Sequence, residues 1–397
     1  MLRTRSVRRI ALLASVALFA VACHGGTRAT PRTSSSAPTD TVVPTTTTTT
    51  VPLQPAIVFT AQANELDAYA TTPPFVTQTV VPSPAADRNG VAVSGQICTD
   101  PTDRHRFVAV DRTAAADGQI GWGVFELSGS ALGKLSAKET ARLVPTFQHA
   151  RDNPTPFGCG FLPDGRLVTT DVGNQSTGPP NGQLVEWFPP FDTDTVASCK
   201  VDVALAGPQG VLAENGAILV ALSRGGGVAS FPIAALPTSG HSNGGCTRRD
   251  ATRAPLASGV AHSPLIANAA AHGLESPAAI APAGNGDLYL SFPRTGTIAE
   301  ITIDGRYVRR VLAPPGFQTL GKRPFSTGTP MGLGVDPSGT LYYADPGLVV
   351  KNGKVVDGLR TGTVRRILFV GGVPQPPEVV DSGLQSPYGL EIWVPTS

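Results

Sequence analysis

Between residues 95 and 394 the chain repeats one phrase. A polar turn, in which Asp or Asn stands near Gly, gives way to a short apolar strand. A Gly-containing turn then leads into a second strand. The phrase occurs as PDGRLVTTD, ending at Asp171, followed by residues 183–188; as ENGAILVALS, ending at Ser223, followed by GGGVASFPI; as GNGDLYLSF around Tyr289, followed by GTIAEITIDG; and as PSGTLYYAD, ending at Asp345, followed by GTVRRILFV. A looser copy covers residues 106–111. Short apolar runs bounded by turn residues predict strands, and their recurrence predicts a repeat architecture. The units are longer than the roughly 40–45 residues of a minimal four-stranded blade, so loop insertions are expected. Short strands and Gly/Pro punctuation disfavour helical solenoids. The pattern predicts an all-β fold, a β-propeller whose small sheets cover one another and whose closure protects the sheet edges. Five phrases are visible, and residues 383–393 begin a sixth that stops short. Residues 56–61 or 75–81 would complete it, giving a six-bladed β-propeller with mixed N- and C-terminal closure over residues 56–397.

The pattern changes upstream of residue 56. Arg3, Arg5, Arg8 and Arg9 precede an apolar run over residues 10–22. This run is too short to span a bilayer as a helix and suits the apolar core of a secretory signal peptide. It ends in Ala20-Val21-Ala22-Cys23, which looks like a bacterial lipobox, in which Cys23 is lipidated and becomes the mature N-terminus. Residues 1–22 are therefore read as a lipoprotein signal peptide. Residues 23–55 are read as a lipid-anchored Thr/Pro-rich linker, marked by the Thr45 to Thr50 run between Pro44 and Pro52. This segment has too few large apolar residues to bury a core. The expected address is the outward face of the cell membrane, with the membrane a partner through the lipid.

Composition supports the same picture. Charged residues are only 15%, with 44 Gly and 37 Pro, which excludes a coiled coil or helical bundle. The net charge of +2 belongs to the leader. Removing residues 1–22 takes away four Arg and no acid, leaving 27 basic against 29 acidic residues, or −2. No basic excess remains to bind nucleic acid. Besides Cys23, the cysteines are Cys98, Cys159, Cys199 and Cys246, an even number in an oxidising compartment. Of three pairings, Cys98–Cys159 and Cys199–Cys246 are favoured because neighbouring repeats lie side by side. No pair has close zinc-ligand spacing.

SPAAIAPAGNGDLYLSF and TPMGLGVDPSGTLYYAD resemble blades of NHL-type propellers and of the regucalcin/gluconolactonase group. The resemblance covers most of residues 95–394. It implies a six-bladed ring but not one activity, because such propellers include lactonases, phosphotriesterases, lyases, quinone-dependent sugar dehydrogenases and pure binding modules. The regucalcin group would place one Glu, two Asn and one Asp around the axis. Asp345 matches the Asp. At the places expected for Asn this chain has Met331 before Gly332 and Phe157 before Gly158.

Asp111, Asp171 and Asp345 end corresponding strands, where Ser223 and Ser291 stand in two other units. A carboxylate there bonds turn amides. Turned toward the axis, Asp171 and Asp345 would instead be ligands for Ca2+. The polar loop over residues 169–176 and the turn-following tryptophans make Asp171, Asn174, Gln175, Trp187 and Arg224 the candidate ligand contacts, although Trp122 and Trp187 suit blade packing as well. His149, Arg224, His262 and Arg294 are the only set that a planar quinone would find. Ser223 lacks the flanking Gly of a nucleophile elbow, and Gly225–Gly227 lacks the Lys of a phosphate loop. The leading expectation is a lipid-anchored extracytoplasmic propeller that binds an unknown small molecule or protein on its loop face. The alternatives are a metal-dependent lactonase or phosphotriesterase-like hydrolase and a quinone-dependent sugar dehydrogenase. No catalytic residue is assigned.

Overall fold

The structure is a computed structural model that describes residues 55–395 apart from 88–89, 114–119, 145–154, 174–179, 193–195, 252, 267–271, 314–327 and 353. Cys23, the leader and nearly all of the linker lie outside the described residues, as do Asn174, Gln175 and His149.

The chain is a six-bladed β-propeller. From the axis outward, blade 2 is Val93–Thr99, Arg106–Asp111, Gly121–Ser128 and Ser136–Leu143. Blade 3 is Pro156–Phe161, Leu167–Asp171, Gly182–Trp187 and Ser198–Leu205. Blade 4 is Pro208–Glu214, Ala217–Leu222, Gly227–Pro232 and Ser263–Ile266. Blade 5 is Ile280–Pro282, Leu288–Phe292, Thr297–Ile301 and Tyr307–Leu312. Blade 6 is Gly332–Val335, Leu341–Asp345, Gly362–Ile367 and Glu378–Leu384.

Blade 1 closes the ring from both ends of the domain. Gly389–Trp393 is its innermost strand, paired antiparallel with Ile57–Gln62, then Glu65–Ala70 and Thr77–Val81. Both N-terminal stretches considered for closure thus lie in one sheet. Trp393 secures the join: its ring lies 6.0 Å from that of Phe59, and Nε1 donates to the Arg104 carbonyl of blade 2 at 2.8 Å.

The strands read as nearly continuous apolar runs because each blade is covered on both faces. Side chains alternate between the two neighbours. In Arg106–Asp111, Phe107 and Ala109 pack toward blade 1, whereas Val108 and Val110 pack toward blade 3. Six apolar clusters, one between each pair of neighbouring blades, complete the circle.

Two disulfides reinforce one side of the ring. Cys98–Cys159 joins the innermost strands of blades 2 and 3. Cys199–Cys246 joins the outer strand of blade 3 to an insertion that leaves blade 4 after Pro232. That insertion adds Pro255–Leu256 and Arg248–Arg249 to the outside of blade 3. The Lys200 ammonium, buried in blade 3, is paired with Asp250 of the insertion.

Candidate functional site

One short motif opens most of the innermost strands. It reads Thr155-Pro156-Phe157-Gly158 in blade 3, Gly207-Pro208-Gln209-Gly210 in blade 4, Ser276-Pro277-Ala278-Ala279 in blade 5, Thr329-Pro330-Met331-Gly332 in blade 6 and Ser386-Pro387-Tyr388-Gly389 in blade 1. The glycines let the inner strands approach. A Cβ on Gly158 would strike the Gln209 carbonyl, and one on Gly389 would strike the Gly95 carbonyl. The residue after each proline therefore sits at the mouth of the central tunnel. Phe157, Gln209, Met331 and Tyr388 all line a cavity of about 500 Å³ there. The hairpin joining the first two strands of blade 1 (Gln62 to Asn64), Ser94 and Arg112 of blade 2, and Gln385 and Ser386 complete much of its wall.

The cavity is a bowl above a narrow apolar passage. Below it, the axis is lined by Phe157, Met331, Leu333, Ile280 and Leu390, with Gln96 among them. Gln96 ties three blades together: Oε1 accepts from Cys159 N at 3.3 Å and Val211 N at 3.1 Å, and Nε2 donates to the Val211 carbonyl at 3.1 Å.

Among the described residues two charged side chains line the bowl, Arg112 and Asp357. Arg112 Nε donates to Ser94 Oγ at 2.6 Å. Asp357 comes from a hairpin, Leu348–Lys351 with Lys354–Asp357, inserted between two strands of blade 6. Tyr388 donates its hydroxyl proton to Asp357, fastening this hairpin to the mouth. Burial and the Asp357 carboxylate hold the Tyr388 phenol well above its ordinary pKa, against a smaller opposing effect of Arg112. Gln209 lines the wall, and its Oε1, on the buried side of the amide, has no hydrogen-bond partner among the described residues.

The aspartates that end the second strands perform a different task. Asp345 Oδ1 accepts from Thr329 N at 2.9 Å, Thr329 Oγ1 at 2.7 Å and Gly347 N at 2.9 Å. Asp171 Oδ1 accepts from Thr155 N at 3.1 Å and Gly173 N at 2.9 Å. Thr155 and Thr329 are the residues before the prolines of the mouth motif. Ser223 Oγ donates to the Gly207 carbonyl, at the equivalent place, at 2.9 Å. Asp111 accepts from Thr113 N at 2.6 Å and is paired with Arg142. These side chains lock the turns that present Phe157, Gln209 and Met331.

Of the other expected contacts, Trp187 is buried between blades 2 and 3, where Nε1 donates to Thr169 Oγ1 at 2.9 Å. Arg224 is exposed on the turn after Ala217–Leu222 and is absent from the bowl's lining. His262 pairs with Asp202 at 3.2 Å and lies against the Phe231 ring, and neither it nor Arg294 lines the bowl. The residues that do line it, Arg112, Gln209, Tyr388 and Asp357, were not among the expected contacts. The mouth motif was the sequence signal for Gln209 and Tyr388, whereas Arg112 and Asp357 lie outside it. Met331 and Phe157 mark it, although the sequence reading took them only as departures from a metal site.

A calcium site of the regucalcin type does not fit this mouth. Its axial positions carry Phe157, Gln209, Ala278, Met331 and Tyr388, and the Asp345 carboxylate is directed to Thr329 and Gly347. Among the described residues no three His, Cys, Asp or Glu side chains gather as metal ligands.

Comparison with known proteins supports the fold. No known family matches the sequence, and neither does any curated protein. Among solved structures the chain is similar to a luciferin-regenerating enzyme, with 14% identity, a TM-score of 0.50, and 84% of this chain and 95% of that chain covered. It is also similar to a chain of the nidogen/laminin complex, with 12% identity, a TM-score of 0.51, and coverage of 85% and 98%. A more distant likeness, to virginiamycin B lyase from Staphylococcus aureus, has 11% identity, a TM-score of 0.40, and coverage of 82% and 84%. The first two likenesses agree with the propeller fold and leave its activity to the site.

Proposed function

We propose that the protein is a ligand-binding propeller, held outside the cell membrane by a lipid on Cys23, that takes a small molecule into the bowl at its tunnel mouth. The observation that carries this reading is the bowl itself. It has about 500 Å³ of space, an apolar floor at Phe157 and Met331, and a few polar groups converging from several blades. That combination is the common form of a small-molecule site. Gln209 contributes an amide to that wall.

The test is a fragment screen by ligand-observed NMR on the full-length chain, with Gln385→Trp as the blocked variant. Gln385 is half-buried on the wall, so an indole there fills the bowl without entering a blade interface. Fragments that bind the native chain and lose their signal on Gln385→Trp support the reading. A screen in which every binder ignores the substitution overturns it.

The two disulfides support an oxidising compartment. Among the described residues no helix is long and apolar enough to cross a membrane; the anchor is proposed from the Ala20-Val21-Ala22-Cys23 sequence. Cys23→Ser is expected to move the protein from the membrane fraction to the soluble fraction. Retention at the membrane would remove the anchor from the proposal.

A further inference from the structure

Resting on the reading of the bowl as a ligand site, we propose that its occupant is a small organic monoanion: a carboxylate on a flat apolar body, with one hydroxyl at the far end. Three separated features impose this shape. Arg112 uses Nε for Ser94, and among the described residues its two terminal nitrogens make no hydrogen bond. They present the fork that grips a carboxylate through two parallel bonds. Phe157 and Met331 offer an apolar surface for the body. Gln209 adds an amide to the wall, which can meet a ligand hydroxyl through Nε2 or, with the amide turned over, through Oε1.

The charge of the wall narrows the anion. Among the described residues Arg112 is the one cation in the lining, and Asp357 is the one carboxylate. Asp357 already receives the Tyr388 hydroxyl, which fixes it at the mouth. A single positive charge with a carboxylate on the same wall suits a monoanion and repels a phosphate dianion. A neutral polyol would leave the Arg112 fork unused.

The test uses four probes on the full-length chain: 4-hydroxyphenylacetate, its methyl ester, 4-methoxyphenylacetate and phenyl phosphate. Affinities are read by saturation-transfer NMR titration. The free acid is expected to bind about tenfold more tightly than the ester, and more tightly than phenyl phosphate. Arg112→Gln should erase the acid-over-ester preference, and Arg112→Lys should keep part of it. Gln209→Leu should erase the preference for the phenol over its methyl ether while leaving the acid-over-ester ratio intact. Equal binding of acid and ester to the native chain overturns the proposal, as does a preference that survives Arg112→Gln or the absence of binding by any probe. If the fragment screen still finds neutral binders that Gln385→Trp blocks, the bowl remains a ligand site and only the anion class is lost. If Arg112→Gln fails to fold, the acid and ester ratio on the native chain still decides.

Discussion

Blades 3 and 1 solve the same problem by different means. Blade 3 has a disulfide at its inner strand, a second at its outer strand, and two extra strands donated by the insertion from blade 4. Blade 1 has no covalent link. It is held by the pairing of Gly389–Trp393 with Ile57–Gln62, by the Phe59–Trp393 contact and by the bond from Trp393 to Arg104. The ring is thus stapled where one continuous chain passes from blade to blade, and it rests on strand pairing, packing and one side-chain hydrogen bond where the two ends of the domain meet. Opening is therefore expected to begin at blade 1.

The largest expected effect follows at that join. Trp393→Ala removes a fully buried indole and leaves a cavity against Phe59 and Phe107, at a cost of about 3–5 kcal/mol. Thermal unfolding should show a loss of that size, and limited proteolysis should cut first in residues 55–81. First cuts in blade 3 would reverse the comparison. Removing the outer staple by Cys199→Ser with Cys246→Ser should cost about 2–4 kcal/mol, mostly by freeing the unfolded chain. In that variant the insertion over residues 236–256 should gain protease sensitivity while blade 1 does not.

A smaller effect distinguishes a turn lock from a metal ligand. Asp345→Ala leaves the Thr329 and Gly347 amides without their acceptor, at a cost of about 1.5–3 kcal/mol. The melting temperature should fall by the same amount in calcium and in chelator. A loss confined to calcium-containing buffer would restore Asp345 as a ligand.

These effects also mark what the sequence reveals. The blades were legible because alternation and turns are local: PSGTLYYAD carries its turn, its strand and its terminal Asp345 in nine consecutive positions. The Cys98–Cys159 pairing was legible because side-by-side repeats bring the two together, whereas Cys199–Cys246 pairs because the insertion from blade 4 folds back onto blade 3. The bowl was not legible as a site. Arg112, Gln209, Asp357 and Tyr388 come from four different blades, and nothing near any one of them announces the others. Asp171 and Trp187 stood out for the opposite reason, since a polar loop or a tryptophan attracts notice alone. In the ring Asp171 accepts from Gly173 N and also lines a separate cavity of about 110 Å³, while Trp187 packs at a blade interface. The position after each proline was the usable clue, because a repeated structural motif with a variable side chain is where a ring of identical blades can differ at its axis.

The smallest effect belongs to the closing strand and depends on pH. Glu391 lies between Trp393 and the mouth motif, and its Oε1 accepts from Thr99 N of blade 2 at 3.3 Å. Burial pushes its carboxyl up to about 7 from the usual 4.5, against the opposing hydrogen bonds from Thr99. The folded state therefore holds this proton more tightly than the unfolded chain does. Its stabilising contribution is complete below about pH 4.5 and is lost as the pH rises through about 7, with about 1–2 kcal/mol at stake once partial solvation is allowed for. Glu186 in blade 3, raised to about 8 by burial despite Arg166, drifts in the same direction, so the native profile alone cannot isolate Glu391. The difference between the native chain and Glu391→Gln does isolate it. Gln cannot ionise, so the variant should match the native chain near pH 5 and exceed it in stability near pH 8. The gain at pH 8 should also vanish when blade 1 is already open, as in Trp393→Ala. A constant offset between the two chains from pH 5 to pH 8 would show that the closing strand carries no titrating penalty, and blade 1 would then owe its weakness to the missing covalent link alone.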